Sequence, residues 1–286
     1  MGAAGVHPTA RQETRGPLPE GLGQAIRETG DDIAGLLRGA PDTAIPVPRS
    51  EWTLGEAAAH LALANELMAD LAAGRRRPYG DGTPQSLAAA NEESLAAFAE
   101  RRAEPLAAVI ADQANAFLDN VASAATDQTG GTADEPPLVT PLGPMNRALL
   151  GSYLLTHMLG HGYDLARALN RPHMIDRNRV ELCMPFMLSV MPRVTNTAAT
   201  AGLTARYAVR LKGGTAFGVA LADGAVTVTP GPLERPDCTI LIDPVTFLLV
   251  ALGRCNPWSA IAQGKIVTWG RKPWLAPRFP NLFTAP

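Results

Sequence analysis

The sequence has few lysines, few cysteines and no long apolar run. Lysine occurs only at positions 212, 265 and 272 among 25 basic residues, and 27 acidic residues leave a formal charge of −2. This balance argues against a nucleic acid or an anionic membrane surface as the main partner. No apolar run approaches the roughly 18 residues of a transmembrane helix, and residues 1–21 lack the apolar segment of a secretory signal. We therefore expect a cytoplasmic protein without a membrane span.

The three cysteines are Cys183, Cys238 and Cys255. Their odd number and wide spacing exclude a disulfide framework and a Cys-x-x-Cys metal pattern. Hydrophobic residues make up 46% of the chain and charged residues 18%, a composition typical of a globular protein with a substantial core. No cysteine is close in sequence to the histidines discussed below, so a reactive thiol would have to come from a second molecule.

The first two-thirds of the chain are predicted to form a helical bundle, over residues 20–198. Thr53 and Glu56 have the spacing of a capping box, which predicts the start of a helix. Pro105 leaves open whether one long helix or two follow. The predicted helices cover residues 20–39, 53–74, 86–125, 145–169 and 179–195, and the glycine- and proline-rich residues 126–144 are predicted to be a flexible loop.

The pattern changes near residue 205, where short apolar strands alternate with glycine-containing turns. Lys212-Gly213-Gly214 and Asp223-Gly224 are hairpin signals between strands. A strand, two short helices and a last strand are predicted after residue 237. The predicted fold class is therefore a helical bundle followed by a smaller α+β domain over residues 204–286, with a disordered arm over residues 1–19.

Three of the five histidines lie on predicted helices. His157 and His161 are one turn apart, and Asp164 continues the same helix face. His60 lies on another helix, directly after three alanines that would allow a close approach of a neighbouring helix. Histidines spaced i, i+4 can bind one metal ion together, and a bundle can bring in a ligand from a second helix.

The histidine pair alone does not decide between a metal site and ordinary packing, because a histidine on an apolar helix is more often a hydrogen-bonded core residue. Burying several titratable rings is costly unless something organises them. Imidazole ligands suit zinc, iron, nickel or copper better than magnesium or calcium. Asp164 could accept a hydrogen bond from one of these imidazoles, or it could form a salt bridge with Arg167.

Two segments resemble a known family. The stretch EWTLGEAAAH and the distant HMLGHGYDLARALNRP are similar to the DinB-like metal-binding four-helix bundle, and most of all to the mycothiol-dependent maleylpyruvate isomerase family. The stretch DCTILIDPVTFLLVALGRCNPWSAIAQGKIVTWG resembles the sterol-carrier-protein-like domain that follows the bundle in that family. The resemblance covers nearly the whole chain from about residue 20, and it implies a DinB-like four-helix bundle with a C-terminal sterol-carrier-like domain.

The resemblance implies that His60, His157 and His161 are the ligands of a divalent metal ion, with zinc as the expected ion. In the maleylpyruvate isomerase itself, a glutamate stands where this chain has His157. Three histidines resemble the general DinB arrangement more closely. The change makes the site more positive by about one charge, which alters the acidity of a bound water or thiol and leaves the exact reaction open.

The family also implies a reaction. Mycothiol is the expected cosubstrate, and its metal-activated thiolate attacks an electrophilic small molecule, so that the protein is a thiol transferase or an isomerase. A metal-dependent tailoring enzyme of specialised metabolism that needs no thiol, and a non-enzymatic carrier of an apolar ligand, remain alternatives. The expected partners are the electrophile and the low-molecular-weight thiol, and the chain is expected to be a monomer or a homodimer.

The C-terminal domain adds weaker candidates for the site. Arg254 and Arg271 could bind a carboxylate of the substrate, because arginine forms two parallel hydrogen bonds to such a group, although solvated surface arginine is the commoner situation. The fold implied by the resemblance encloses an apolar cavity. Apolar residues of this domain could line that cavity, although ordinary core packing is the commoner role of such residues. The candidates to line it are Phe217, Phe247, Leu248, Leu249 and Ile261.

Overall fold

The computed structural model describes residues 18–81, 84–127 and 137–284, so nearly all of the predicted arm lies outside the described residues. The N-terminal part is helical, as predicted. Its elements are α1 (Leu22–Arg38), α2 (Leu54–Ala72), α3 (Pro84–Ala97), α4 (Ala103–Asp127), α5 (Arg147–Ala168), α6 (Arg177–Val190) and α7 (Thr197–Thr200), with a hairpin of β1 (Leu138–Thr140) and β2 (Gly143–Met145) before α5.

Four helices form the bundle, because α1 and α2 each pack against both α4 and α5. The bundle core is built mainly from leucine, isoleucine and alanine. Ala57, Ala58 and Ala59 on α2 are all buried, and such small side chains let neighbouring helices approach closely. Glycine has the same effect on α5, where a Cβ added to Gly162 would lie 2.8 Å from the sulfur of Met174.

The helical stretch 86–125 is broken, but not at Pro105. Helix α3 ends at Ala97 and α4 begins at Ala103, so that the proline lies in the first turn of α4. Proline is tolerated there because the first amide groups of a helix have no intrahelical acceptor. Of the two alternatives that the sequence left open, the structure has two helices, and the proline marks the start of the second one.

The prediction of a flexible loop over residues 126–144 is wrong in its second half. Leu138 pairs with Met145 and Thr140 with Gly143 in the β1–β2 hairpin. The Thr140 side chain donates a 2.6 Å hydrogen bond to the carbonyl of Gly143, and Arg193 binds the carbonyl of Leu142. Each strand has three residues, which is too short for a periodic pattern to be recognised.

The C-terminal part is a five-stranded sheet with helices, as predicted. Its elements are β3 (Ala205–Leu211), β4 (Ala216–Ala222), β5 (Ala225–Pro230), β6 (Cys238–Ile242), α8 (Pro244–Ala251), α9 (Pro257–Ala262), β7 (Ile266–Trp269) and a closing 3-10 helix (Pro273–Leu282). The strand order is β5-β4-β3-β6-β7, in which β3 and β6 are parallel and the other pairs antiparallel.

Helix α6 joins the two parts of the molecule, because it packs against α5 on one side and α8 on the other. Glu181 on α6 also accepts a hydrogen bond from the hydroxyl of Thr215, in the turn between β3 and β4, at 2.5 Å. The sheet domain is thereby held against α6, which itself packs on the helix that carries His157 and His161. Within the described ranges, no helix is both long and apolar enough to cross a membrane.

Candidate metal centre

The start of helix α2 is fixed by the predicted capping box. The backbone amide of Thr53 donates to the Glu56 carboxylate at 2.8 Å, and the amide of Glu56 donates to the Thr53 hydroxyl at 3.3 Å. The hydrogen bond from the Thr53 backbone is the largest cause of the lowered pKa of Glu56. The cap sets where the helix begins, and therefore sets the position of His60 in its second turn.

The structure brings the three predicted metal ligands together. His60 comes from α2, while His157 and His161 come from successive turns of α5, and one nitrogen of each ring lies within 4.8 Å of the others. The Nε2 atoms of His60 and His157 are 3.2 Å apart. The ring centroids of His157 and His161 are 4.5 Å apart, and those of His60 and His161 are 4.8 Å apart.

Burial keeps these imidazoles neutral. His60 is 5% exposed, and burial lowers its pKa to about 4. Burial also lowers the pKa of His157 and of His161 well below 6.5, and the neighbouring histidines and Arg254 lower both further. A neutral imidazole has the lone pair that a metal ligand needs. The set is therefore ready to bind a cation at neutral pH.

The donor set also fits a metal ion through its hydrogen bonding. The buried Nδ1 of His157 has no hydrogen-bond partner within the part of the chain that the structure describes. Unpaired buried polar atoms are rare and costly in folded proteins, so a second molecule or ion is expected here. Three nitrogen ligands suit zinc and the neighbouring transition metals.

Trp52 covers the cluster and was missed by the sequence analysis. Its ring centroid lies 4.9 Å from that of His60 and 6.2 Å from that of His161. It directly precedes the capping residue Thr53, a position from which an apolar side chain often packs back on the first turns of the helix. That position was a usable signal in the sequence.

Asp164 is bound by Arg254 rather than by Arg167. The Nη2 and Nε atoms of Arg254 donate to the two carboxylate oxygens at 2.7 and 3.2 Å. The Nδ1 atom of His161 is 3.7 Å from the carboxylate, beyond the range of a hydrogen bond. The role of Asp164 in orienting a histidine stays a prediction, and its observed role is to hold Arg254.

The two arginine candidates separate in the structure. Arg254, in the turn after α8, reaches the histidine cluster through Asp164. Arg271, which follows β7, donates a 2.6 Å hydrogen bond to Asp237 at the start of β6. It therefore lies in the sheet domain and is not among the residues that line the two spaces beside the histidines.

Two spaces meet at the histidines. The inner pocket, of about 190 Å³, is enclosed mainly by α2, α5 and the segment around α3. The outer cleft, of about 740 Å³, lies between the start of α2, the end of α5 and the turn after α8. Four side chains line both spaces, and they are Trp52, His161, Leu252 and Arg254.

A third space lies in the C-terminal domain. This apolar cavity of about 100 Å³ is enclosed by α6, the sheet, α8 and the closing 3-10 helix. Among the five residues predicted to line such a cavity, Phe247 and Ile261 do so. Phe217 instead packs against Phe247 in the core, with ring centroids 5.9 Å apart.

The comparisons with known proteins find the two parts of the chain separately. Residues 23–166 match the family model described as the mycothiol maleylpyruvate isomerase N-terminal domain. Residues 191–270 match the SCP-2 sterol transfer family, and helix α6 lies between the two matches. Both matches confirm the predicted fold class. No curated protein matches the chain significantly.

Solved structures support the same architecture. A histidine-to-alanine mutant of the mycothiol-dependent maleylpyruvate isomerase is 16% identical, with a TM-score of 0.52 over 88% of this chain and 93% of that one. Another structure of that isomerase has 15% identity, the same coverage and a TM-score of 0.46. The chain spans only 24% of a double mutant of the sec-alkyl sulfatase PisA1, which covers 48% of this chain at 17% identity and a TM-score of 0.32. The first likeness shows the fold, and the other two are too low to carry an argument.

Proposed function

This chain belongs to the mycothiol maleylpyruvate isomerase family, and on that premise we propose that it is a metal-dependent thiol transferase or isomerase. In this proposal His60, His157 and His161 hold a divalent ion, which we take to be zinc, and mycothiol is the thiol cosubstrate. The observation that carries the proposal is the convergence of three neutral imidazoles from two helices, between a polar cleft and an inner pocket.

The residues around the cluster would control the thiol chemistry. A bound zinc ion would lower the pKa of a coordinated thiol so that the thiolate is present at neutral pH. Trp52 and the buried alanines beside His60 surround His60 with apolar groups, and such low-polarity surroundings strengthen electrostatic interactions there. The three neutral ligands leave the positive charge of the ion uncompensated, which favours binding of a thiolate.

The outer cleft is the proposed site of the thiol cosubstrate. It is the larger of the two spaces and reaches His161 from the solvent side. Many hydrogen-bonding side chains line it, and they include Arg49, Ser50, Arg167, Asn256, Ser259 and Gln263. Groups of this kind suit the polyhydroxylated body of mycothiol, whose thiol would then point toward the histidines.

The inner pocket is the proposed site of the electrophile. Tyr153 and Thr156 are among the residues that line it, and burial raises the pKa of Tyr153, so this phenol keeps its proton at neutral pH. Arg254 lines both spaces and offers a cation to negative charge that develops on the electrophile. These groups could orient a carbonyl next to the carbon that the thiolate attacks.

The size of the apolar cavity argues against a lipid carrier. Its volume is about 100 Å³, which is smaller than a cavity of about 150 Å³ that binds a single benzene molecule. A whole lipid or sterol therefore does not fit in the observed structure. A metal-dependent enzyme without a thiol has the same site geometry, and only the requirement for the thiol separates it from our proposal.

The test is a thiol-consumption assay with zinc-loaded protein. Mycothiol, cysteine or no thiol is mixed with a panel of α,β-unsaturated carbonyl compounds, and both thiol loss and product are followed. We expect turnover with mycothiol that is lost in His161→Ala and kept in His173→Ala, because His173 lies outside the cluster. Turnover of the panel without any thiol would replace the proposal by thiol-independent chemistry.

A further inference from the structure

The inner pocket and the apolar cavity share a wall. Phe186 on α6 and Leu252 after α8 line both spaces, so that these two side chains lie between the histidine site and the interior of the C-terminal domain. Leu252 also lines the outer cleft. The C-terminal domain thus contributes a space that begins where the proposed electrophile site ends.

The two spaces carry little charge beyond the histidines. Among the described residues that line the inner pocket, Arg254 is the one permanently charged side chain, and its guanidinium already binds Asp164. The lining of the apolar cavity consists of apolar side chains except for Thr284. A substrate with a second charged group at this end would bury that charge without a partner, at a high cost in free energy.

The shared wall is held by specific contacts. The Ser152 hydroxyl donates to the carbonyl of Leu182 at 2.7 Å and accepts from the amide of Phe186 at 3.2 Å. Pro185 directly precedes Phe186 and lacks an amide hydrogen, so α6 is weakened at this turn. The Phe186 ring stacks on Tyr153, with centroids 4.4 Å apart. Phe186 is buried between the two spaces, so a ligand that passes from one space to the other has to displace this ring.

We propose that the electrophile carries an uncharged apolar tail, which extends from the inner pocket past Phe186 and Leu252 into the apolar cavity. The reactive, polar end then lies at the histidines beside Arg254. This inference rests on the proposed function for the identity of the reaction, but the binding of the tail can be tested apart from it. The substrate class is an α,β-unsaturated aldehyde or ketone with a hydrocarbon chain, rather than a short dicarboxylate.

The volume of the cavity limits the length of the tail. A cavity of about 100 Å³ is smaller than the cavity of about 150 Å³ that binds benzene, so it takes roughly four carbon atoms. Each buried methylene strengthens binding by about fourfold. Catalytic efficiency therefore rises with chain length up to a limit and then stops rising.

The experiment compares crotonaldehyde, trans-2-hexenal, trans-2-octenal and maleate as electrophiles for the zinc-loaded protein with mycothiol. We expect kcat/KM to increase by about fourfold per added methylene until the cavity is filled, and maleate to react poorly. The variant Ala251→Leu adds three carbons at a residue that lines the cavity, and it should flatten this dependence. The matched control is Ala262→Leu, on the exposed side of α9, which should retain it.

The outcomes separate the inference from the proposed function. Turnover that is independent of chain length, or that is fastest with maleate, overturns the inference and leaves the thiol chemistry standing. If no electrophile reacts with mycothiol, the proposed function fails. Calorimetric titration with 1-butanol and 1-hexanol then tests separately whether the apolar cavity binds a hydrocarbon chain. Tighter binding of hexanol in the original protein than in Ala251→Leu supports the tail site, and equal binding contradicts it. Unchanged zinc content and melting temperature confirm that both variants fold.

Discussion

At the scale of single residues, the histidine cluster combines burial with neutrality. The rings of His60, His157 and His161 lie against one another, and protonation of one would repel a charge on the next. The unpaired Nδ1 of His157 costs roughly 1–3 kcal/mol in the metal-free fold. Packing alone does not explain why three imidazoles are buried together at this cost, whereas the binding of a cation does.

The metal-free protein should lose stability in acid because of these histidines. The pKa of His60 is about 4 in the folded chain and about 6.5 in an unfolded one, so the unfolded state binds the proton more tightly. Protonation of His60 therefore does not lower the free energy of unfolding above pH 6.5. As the pH falls from 6.5 toward 4, His60 lowers the free energy of unfolding by about 1.4 kcal/mol per pH unit. Urea unfolding of chelator-treated protein between these pH values measures the slope.

The variant His60→Gln should make this pH dependence shallower. His173→Gln is the control, since His173 is exposed in the loop after α5 and contributes less than His60 to the pH dependence of the free energy of unfolding. If the free energy of unfolding changes equally with pH in the original protein and in His60→Gln, the burial of His60 does not govern its protonation. The comparison of slopes remains valid even when the variant is less stable at every pH.

The candidate site could be predicted where its signals are local in sequence. His157 and His161 are one helical turn apart, and Ala57 to Ala59 before His60 favour a close helix contact. The partner of Arg254 could not be predicted, because Asp164 is 90 residues away and no short-range pattern links the two. The wall residues Phe186 and Leu252 have the same limitation, since their role depends on how the two domains pack.

At the scale of elements, helix starts determine the positions of the ligands. Helix α2 has its capping box at Thr53, and α5 has a cap at Asn146, whose side chain accepts from the amide of Leu149 at 2.8 Å. Each cap fixes the first turn of a helix that carries ligands. The elements that were predicted well are the long helices with periodic apolar residues, whereas the β1–β2 hairpin was missed because its strands are too short to show a period.

Removal of the α2 cap should weaken metal binding as well as the fold. Thr53→Ala deletes the oxygen that accepts from the Glu56 amide, which costs about 1 kcal/mol of stability, and it loosens the turn before His60. We expect weaker zinc affinity in a competition titration with a chromophoric chelator. Thr53→Ser keeps the hydroxyl and should retain both properties; a loss of stability in Thr53→Ala without any change in affinity would contradict the link.

At the scale of the whole molecule, the Arg254–Asp164 ion pair joins the C-terminal domain to α5, the helix that carries His157 and His161. Both side chains are largely buried, at 26% and 17% exposure, so the pair is less screened than a surface salt bridge. Gly160 lies beside this contact, where an added Cβ would be 3.1 Å from Leu252. The C-terminal domain therefore forms part of the site, and the two spaces at the histidines depend on its position.

A double-mutant cycle should measure this connection. The variants Asp164→Asn, Arg254→Gln and their combination are unfolded in urea, and we expect a coupling energy of about 1 kcal/mol. Arg254→Lys should not restore it, because lysine cannot form the two parallel hydrogen bonds of the guanidinium. Additive effects of the two single changes would mean that the ion pair does not hold the domains together.

The central claim is that the three histidines hold a metal ion, and elemental analysis of the purified, zinc-reconstituted protein tests it most directly. The original chain and His173→Ala should contain about one equivalent of zinc or another transition metal. His60→Ala, His157→Ala and His161→Ala should each contain only a trace while remaining folded by circular dichroism. Absence of metal from the original chain after reconstitution, or a full equivalent in all three histidine variants, would contradict the account.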